Sequence, residues 1–413
     1  MNPLRQRNID QLEHMYSTLF TAYNGDTVSV AEQDKVVTPT YTKKQLATAM
    51  GVNDDRIQTV MDRLERDENE YYARDARNWL SLTREQALRI LAEFNVKTVQ
   101  DKRALDPQNY ETPVIFVNKN KGGVGKSTTA LHLAVEAALD VKKNRRVLLA
   151  DGDIQGSVRH YLSPPELVDG SFYSVSELVK ENANLSREER LSPEKQSEYR
   201  EYLLDKVVLP SRVDNLWFIP SILTDIEMSI TLASELGAGD GSQEERLARS
   251  LSVMNDVVFQ PLKQDFELMI IDSGPSPDPL VYNLLYASNH AIIPTTGRRQ
   301  DFRAFLQHLQ LNKLLLEGLL PSDYKGLYSL KALIVKHQKK DELETVANQI
   351  AAAGHCYAAR IMESKKYEEA AIEKLPLQLL KTKRTEALTD ALKSITSLYG
   401  EVDAQISTHE FQG

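Results

Sequence analysis

Glycines, lysines and a hydroxyl residue stand close together between residues 119 and 128, in a spacing that suits phosphate binding. The stretch reads Lys119-Asn-Lys-Gly-Gly-Val-Gly-Lys-Ser-Thr128 and directly follows the apolar run Val114–Val117. A strand, a glycine-rich loop and a helix N-terminus in this order aim backbone N–H groups and the positive end of the helix dipole at an anion. The pattern therefore predicts a site for the phosphates of a nucleotide.

The residues of this loop have distinct predicted roles. Lys126 is expected to reach the β- and γ-phosphates of ATP, Ser127 to ligate Mg²⁺ and Thr128 to contact phosphate. A standard loop of this type begins with Gly six positions before the lysine, where this chain has Asn120, and a second lysine precedes the glycines instead. The predicted nucleotide-binding residues of the loop are Lys121, Gly122, Gly123, Val124, Gly125, Lys126, Ser127 and Thr128.

Acidic residues follow two further apolar runs. Asp151 and Asp153 come at the end of Val147–Ala150, and Asp272 follows Leu268–Ile271. Ligands bind where parallel strands end, so carboxylates there can hold Mg²⁺ or orient a water molecule on the γ-phosphate. Asp272 has the position expected of the carboxylate in the magnesium shell. A plain surface turn is the alternative for the first pair, since Asp and Gly are common turn residues.

The elements that must position these residues are short strands and helices in alternation. Helical patterns such as Thr128–Val141 and Phe302–Leu316 separate most of the apolar runs. Strands that are apolar on both faces indicate a mostly parallel sheet with helices on both faces, an α/β fold. The segment 164–213 is expected to be a helical excursion on the surface. The runs are Val114–Val117, Val147–Ala150, Leu216–Ile219, Leu268–Ile271, Ala291–Ile293 and Ala332–Val335.

Composition limits the classes of protein that need consideration. The 413 residues exceed what one core usually serves, so two or more domains are expected. No apolar run approaches the roughly 20 residues that cross a bilayer, and the polar start of the chain lacks the core of a signal peptide. The single cysteine, Cys356, excludes a disulfide framework within the chain. The net charge of −9 is only weak evidence against nucleic-acid binding, and a cytoplasmic location is expected.

The first hundred residues are predicted to be mostly helical. Apolar residues between Leu12 and Phe20 recur at helical spacing, and a compact helical unit is expected at 43–100. The predicted division is an N-terminal helix and linker at 1–42, the helical unit, a linker at 101–112 and a nucleotide-binding domain at 113–413.

Within the helical unit, Ala47, Gly51 and Ile57 have the spacing of a helix-turn-helix. A plain helical hairpin is an equally good interpretation of the spacing alone. As a helix-turn-helix the unit would direct several side chains of its second helix towards solvent or DNA, and Arg74 and Arg77 would follow in a small wing. The candidate DNA-binding residues on the second helix are Arg56, Gln58, Thr59 and Arg63.

With its three motifs in this order, the chain resembles the ParA family of partition ATPases, in the deviant-Walker group that includes MinD and the nitrogenase iron protein. The resemblance covers about residues 113–397. It implies an ATP-dependent dimer in which Lys121 crosses to the partner's phosphates, Asp153 helps to activate the attacking water and Asp151 supports the metal site. The chain has Asp-Ile-Gln and Ser-Gly-Pro where the family usually has Asp-Pro-Gln and Thr-Pro-Pro. These departures are expected to affect rates more than reaction type.

The resemblance also bears on DNA. Larger members of the family carry a helix-turn-helix domain before the ATPase, which favours DNA binding by the N-terminal unit. The helix around Leu12 is expected either to pair two subunits or to pack on its own domain. Basic residues late in the chain bind DNA without sequence preference in the family, and the corresponding cluster here is Lys381, Lys383 and Arg384. A solvated helix face is the alternative for that cluster. Lys336, just past a strand end, is expected near the adenine.

The function implied is ATP-dependent DNA partition. The expected partners and cofactors are ATP, Mg²⁺, nucleoid and operator DNA, a centromere-binding ParB-type protein and a second copy of the chain, as a dimer or a filament. The chain would be cytoplasmic and nucleoid-associated, with no membrane, and it would repress its own operon.

Three alternative functions are less well supported by the sequence. A MinD-like membrane-positioning ATPase needs a basic amphipathic C-terminal helix, and 399–413 contains no Lys or Arg. Iron–sulfur carriers on this fold need more cysteines than the chain has. An ATP-switched transcription regulator is the third.

Overall fold

Within the residues that the computed structural model describes, eight strands form one sheet. Those residues are 13–15, 17, 40–68, 70–74, 80–164, 172–222, 225–237, 242–380, 382 and 384–411. Across the sheet the order is β3-β4-β2-β5-β1-β6-β7-β8, and every neighbouring pair is parallel except β3 with β4. The strands are β1 Val114–Val117, β2 Val147–Gly152, β3 Leu209–Pro210, β4 Leu216–Ile219, β5 Leu268–Ser273, β6 His290–Thr295, β7 Ser329–His337 and β8 Cys356–Met362.

The central strands are buried on both faces, as their sequences require. Every residue of β1, β5 and β6 is buried, because parallel strands need crossover helices that cover the sheet from both sides. The predicted mostly parallel α/β fold is confirmed. All six predicted strands are present, whereas β3 and β8 had not been predicted.

Helices cover both faces of this sheet and, among the described residues, build three hydrophobic clusters with it. The first contains the helices Lys126–Leu139 and Glu386–Ile406, the second the helices Pro193–Tyr202 and Pro279–Tyr286, and the third the helices Arg299–Gly318 and Asp341–Ala352. Single π-helical turns occur at Leu203–Val207 and Asn255–Phe259. The helices of this part of the chain are α5 Lys126–Leu139, α6 Arg159–Leu162, α7 Ser176–Asn182, α8 Arg187–Arg190, α9 Pro193–Tyr202, α10 Ile226–Gly237, α11 Gln243–Leu251, α12 Gln260–Leu262, α13 Pro279–Tyr286, α14 Arg299–Gly318, α15 Asp341–Ala352, α16 Lys366–Ile372 and α17 Glu386–Ile406.

The described part of the segment 164–213 is mostly helical as expected, but its placement on the surface was wrong. Tyr199, Leu203 and Val207 are completely buried in the core on the second face of the sheet. Arg190 is also completely buried and is paired there with Asp256. Charged residues such as Arg190 had suggested a surface segment. An arginine can nevertheless be buried when a carboxylate and backbone carbonyls accept hydrogen bonds from its N–H groups.

The N-terminal unit consists of α1 Lys43–Met50, α2 Asp54–Glu68 and α3 Arg84–Glu93. Gly51 connects the first two helices with φ 67°, a left-handed conformation that glycine adopts without strain. Ala47 and Ile57 are buried between the helices, as the spacing requires. The identification of this unit as a DNA-binding helix-turn-helix stays a prediction. Most of the predicted first helix, including Leu12, lies outside the described residues, as does Arg77 of the predicted wing.

The stretch interpreted as a linker at 101–112 is attached to the sheet domain along its length. Helix α4, Val99–Leu105, begins at the capping residue Thr98. Arg103 donates to the backbone carbonyl of Phe266 and to the Glu267 carboxylate, both at 2.9 Å. Such contacts fix the entry into β1, so this segment is not a free tether. The predicted limits of the domains are otherwise untested.

Candidate nucleotide site

The glycine-rich loop lies at the carboxyl end of β1 and leads directly into α5. Gly123 and Gly125 have φ values of 74° and 80°, which favour glycine. Gly125 is the N-cap of α5, and the helix therefore begins at Lys126, two residues before its predicted start. A Cβ at Gly122 or Gly123 would meet nothing within 4 Å, so the space above the loop is open for a ligand.

Lys126 and Asp272 form the buried centre of this site. Burial lowers the pKa of Lys126, and the nearby Asp272 and Asp153 oppose that shift. Asp272, at the end of β5, is 0% exposed, and neither of its oxygens has a hydrogen bond of normal geometry to the described residues. Burial raises the pKa of Asp272 to about 7, while the Ser127 hydroxyl and the Lys126 ammonium act in the opposite direction. A buried carboxylate without a partner, next to a serine hydroxyl, fits a hard cation such as Mg²⁺.

Asp151 and Asp153 follow β2, next to Asp272. Asp151 is paired in register with Asp272 across the sheet. Its two oxygens accept the backbone N–H groups of Asp153 at 3.1 Å and of Val158 at 3.2 Å. Burial and the Asp272 carboxylate raise its pKa well above the ordinary value. Asp151 thus shapes the loop that carries Asp153, whose side chain is half-buried and accepts the N–H of Gln155 at 3.1 Å.

The described residues contain no group of three or more His, Cys, Asp or Glu side chains that could hold a metal ion by themselves. A magnesium ion here would therefore depend on Ser127, Asp272, water and the oxygens of a bound phosphate. That donor set is usual for Mg²⁺, which keeps several waters and takes one or two carboxylates together with substrate phosphates.

Lys121 does not point into the loop of its own chain. Its ammonium forms an ion pair with Oδ1 of Asp301, in the first turn of α14. The Thr296 hydroxyl donates to Oδ2 of the same carboxylate. Sequence reasoning missed Asp301, since a residue 180 positions away gives no local signal of an ion pair.

Lys119 is a further functional candidate that sequence reasoning passed over. It is 0% exposed, and its Nζ has no hydrogen-bond partner in the described parts of the chain. The ammonium lies 4.6 Å from the centroid of the Phe305 ring. Burial lowers its pKa to about 7, while Asp301 favours and Lys121 disfavours the charge.

Lys336 lies beside the loop, where β7 ends. It is exposed, has φ 50°, and donates from Nζ to the Gly123 carbonyl at 2.8 Å. Next to it is a cavity of about 280 Å³ that also adjoins the start of α5. Other lining residues come from the end of β8, from the loop after it and from α16, none of which was predicted. They include Met362, Glu363, Ser364, Tyr367 and Glu368.

The candidate DNA-binding residues of α2 are mostly engaged within the N-terminal unit. Arg56 lies over the Phe94 ring at 5.6 Å, and Arg63 is paired with Glu93. Gln58 donates to Asp62 and accepts from Lys43, and the Thr59 hydroxyl donates to the Asp55 carbonyl. These contacts hold the side chains on the outer face of the unit, where Arg56, Thr59 and Arg63 are exposed.

The structure describes only one residue of the basic cluster formed by Lys381, Lys383 and Arg384. Arg384 is exposed just before α17, whereas Lys381 and Lys383 lie outside the described residues. Among the helices that the structure describes, none is long and apolar enough to span a bilayer.

The sequence is similar to a known family model and to partition-related proteins. A family model described as an AAA domain matches residues 112–310. Plasmid partition protein A of Escherichia coli is 25% identical over 205 residues, which are 48% of this chain and 46% of that protein. The protein Soj of Bacillus subtilis (strain 168), a sporulation initiation inhibitor, is 28% identical over 238 residues, 55% of this chain and 79% of Soj.

The fold is likewise similar to that of solved proteins. A structure described as a partition protein superposes with a TM-score of 0.63, covering 97% of this chain and 99% of that chain at 18% identity. At this level of identity the similarity demonstrates a common fold. The sequence matches span about half of the length of the first Escherichia coli relatives.

Proposed function

We infer the function of this chain from its membership of the ParA family of partition ATPases, to which the AAA-domain match and the partition-protein relatives assign it. We propose that it binds ATP with Mg²⁺ and hydrolyses it to ADP and phosphate. The observation that carries the proposal is that Lys126 and Asp272 are both buried beneath an open glycine loop. A lysine and a carboxylate that lacks a well-formed hydrogen bond, at the carboxyl ends of parallel strands, suit a magnesium-bound triphosphate.

Different residues of the site serve nucleotide binding and hydrolysis. The loop N–H groups and the start of α5 bind the phosphate oxygens, and Lys126 neutralises the β- and γ-phosphates. Ser127 and Asp272 would hold Mg²⁺, which supplies charge neutralisation at the transferred phosphoryl group. Asp153 orients the attacking water, and Asp151 fixes the loop that carries Asp153. Lys336 stabilises the loop through the Gly123 carbonyl and lies beside the cavity of about 280 Å³, to which we assign the adenine base.

Assembly is the second part of the proposal. ATP closes a dimer in which Lys121 reaches the partner's phosphates, and the dimer or a filament binds nucleoid DNA without sequence preference. A centromere-binding ParB-type protein then stimulates hydrolysis and releases the complex, so that DNA is segregated. We assign DNA contacts to Arg56, Gln58, Thr59 and Arg63, and to Lys381, Lys383 and Arg384. The chain would act in the cytoplasm on the nucleoid.

Helix α17 does not offer the exposed apolar face that a membrane-binding helix needs. The apolar side chains of α17, including Leu388, Ile395 and Leu398, are buried against the sheet and α5. A helix that binds a membrane surface needs a free apolar face. In the described part of α17 that face is already covered.

A second candidate function is an ATP-switched transcription regulator. It is favoured by the direct contact between the N-terminal unit and the end of α5, through Arg84. In this case Asp153→Ala would abolish hydrolysis and leave repression intact. In the partition model the same variant would bind DNA but fail to recycle.

The experiment that tests the proposal measures ATP hydrolysis by the full chain with and without random DNA and the partner protein. We expect slow basal turnover that both stimulate, and no nucleotide binding by Lys126→Ala. Lys313→Ala is a matched control, since Lys313 is an exposed lysine on α14 with only a weak i,i+4 pair. Mobility shifts with ATP, ADP and no nucleotide then separate random from operator binding. Turnover that ignores both DNA and partner, or ATP binding that survives Lys126→Ala, would refute the proposal.

A further inference from the structure

Asp301 is held by two partners, one on each carboxylate oxygen. Lys121 takes Oδ1, and the Thr296 hydroxyl takes Oδ2. The residue is only 7% exposed. Burial acts to raise its pKa, but the bonds from Lys121 and Thr296, with a smaller contribution from the charge of the exposed Arg298, outweigh burial and lower the pKa. The carboxylate is therefore charged, buried and dependent on these contacts.

Moving Lys121 towards a second subunit would remove one of the two partners. Oδ1 would then be a buried charged oxygen without a donor, which is costly. The Thr296 hydroxyl is already committed to Oδ2. The N-terminal end of α14 favours a negative charge at Asp301, but it does so before and after the movement and cannot replace a donor on Oδ1.

Lys119 supplies the missing donor. It is the buried lysine whose ammonium has no hydrogen-bond partner among the described residues and touches the Phe305 ring. Phe305 follows Asp301 by four positions on α14, so the two side chains share one face of the helix, with their Cβ atoms about 5–6 Å apart. A lysine side chain is flexible enough to cross that distance. A buried lysine whose Nζ makes no hydrogen bond is rare, which marks this one as available for a further partner.

The other charged and titratable groups around Lys119 leave Asp301 as its acidic partner. On the loop these groups are Lys121 and Lys126, and on α14 they are Asp301 and His308. Burial lowers the pKa of His308 to about 3, with smaller contributions from the two lysines Lys119 and Lys126, so the ring is neutral. Among these described groups only Asp301 carries a negative charge.

We propose that Lys119 is a positioning residue for ATP-dependent assembly: it replaces Lys121 as the partner of Asp301 when Lys121 leaves to reach the phosphates of a second copy of the chain. The exchange keeps the buried Asp301 carboxylate paired before and after Lys121 moves, so the release of Lys121 does not leave a buried charge without a partner. This inference rests on the proposed ATP-dependent dimer and deepens it. A lysine that merely packs its aliphatic stem against Phe305 has no such effect.

The test compares Lys119→Met, Lys119→Arg, Asp301→Asn and the double variant Lys119→Met/Asp301→Asn in the full chain. Sedimentation velocity with Mg²⁺ and a non-hydrolysable ATP analogue gives the assembly constant. A fluorescent ATP analogue at low protein concentration gives the nucleotide affinity of the monomer. We expect Lys119→Met to bind nucleotide within about twofold of the parent but to assemble roughly tenfold or more weakly, the cost of one buried unpaired charge.

Two further results separate this role from a packing role. Lys119→Arg keeps the charge and should restore most of the assembly, and Asp301→Asn should cancel the defect of Lys119→Met because no carboxylate is left to be stranded. Since the pKa of Lys119 is about 7 when Lys121 occupies Asp301, pairing with Asp301 takes up a proton. Parent assembly should therefore weaken from pH 6.5 to pH 8.5 relative to the assembly of Lys119→Met, which keeps the other titratable groups of the nucleotide site.

The outcomes distinguish this inference from the proposed function. If the parent chain binds the analogue but does not assemble, the ATP-dependent dimer itself is wrong. If the parent assembles and Lys119→Met assembles equally well, the exchange is refuted and the dimer stands. A defect in Lys119→Met that Asp301→Asn does not relieve also refutes the exchange. Should Lys119→Met unfold, the charge-retaining variant and the double variant decide the question.

Discussion

Replacing Arg84 by Met should loosen the contact between the N-terminal unit and the nucleotide domain. Arg84 is 12% exposed by side chain and begins α3. Its guanidinium donates to Asp214 at 2.5 Å, to the Asn144 side chain at 3.2 Å and to the Ala138 carbonyl at 2.5 Å. All three acceptors belong to the sheet domain, so one side chain makes a large part of the polar contact.

The size of the effect follows from these bonds. The Ala138 carbonyl lies at the end of α5 in a buried position, and leaving it unsatisfied costs about 1–3 kcal/mol. The bond to Asp214 adds less, because Asp214 is 39% exposed and water screens the pair. Loss of the contact should therefore cost about 2–4 kcal/mol, which makes undocking of the unit roughly 30- to 1000-fold more frequent.

Hydrogen exchange of the backbone amides that face this junction is the assay. Amides at the end of α5 and the start of α3 should exchange faster in Arg84→Met, while those in β1 and β5 should keep their protection. Arg89→Met is the matched control, because Arg89 is 41% exposed and pairs with acids inside its own unit. Equal protection of the junction in Arg84→Met and in the parent would show that Arg84 does not hold the two parts together.

Two further predictions concern the interior of the nucleotide domain. Burial lowers the pKa of His132 to about 4. Below about pH 6.5 the unfolded chain therefore binds a proton on this ring that the folded chain does not bind. As a result, His132 lowers the free energy of unfolding as the pH falls. Urea unfolding at pH 6.5 and pH 5.0 should show the parent losing about 2 kcal/mol more than His132→Gln, and identical losses would contradict the assignment. A Cβ at Gly152 would meet Leu284 Cδ1 at 2.6 Å and the Asp272 carbonyl at 2.9 Å. Gly152→Ala should therefore cost about 1–3 kcal/mol and weaken nucleotide binding, whereas the open Gly318→Ala should do neither; equal melting temperatures for the two variants would argue against the crowding.

The sheet was predictable from sequence because its inner strands are buried on both faces. Val114–Val117 and Leu216–Ile219 are continuous apolar runs, and the structure assigns strands with the same limits. Such runs are a strong signal because a parallel sheet excludes water from both sides. The edge strand β8 gives no such run: its burial varies from residue to residue, and it contains Arg360. Its pairing with β7 is also irregular in register.

The phosphate loop was predictable for a different reason, and only in part. A glycine loop acts through its own backbone, so adjacent residues contain most of the information. The partners of its lysines come from elsewhere in the chain. Asp301 and Phe305 become neighbours of the loop only because β6 pairs with β1 and leads into α14. No spacing rule connects residues this far apart, and the burial of Lys119 was therefore invisible in the sequence.

Helix α5 connects the phosphate loop with the contact that Arg84 makes. It begins at Lys126 in the phosphate loop and ends at Leu139, so its 14 residues span about 21 Å. The Ala138 carbonyl at its far end accepts the hydrogen bond from Arg84 of the N-terminal unit. A displacement of this packed helix would therefore change the phosphate loop and the contact with the N-terminal unit together.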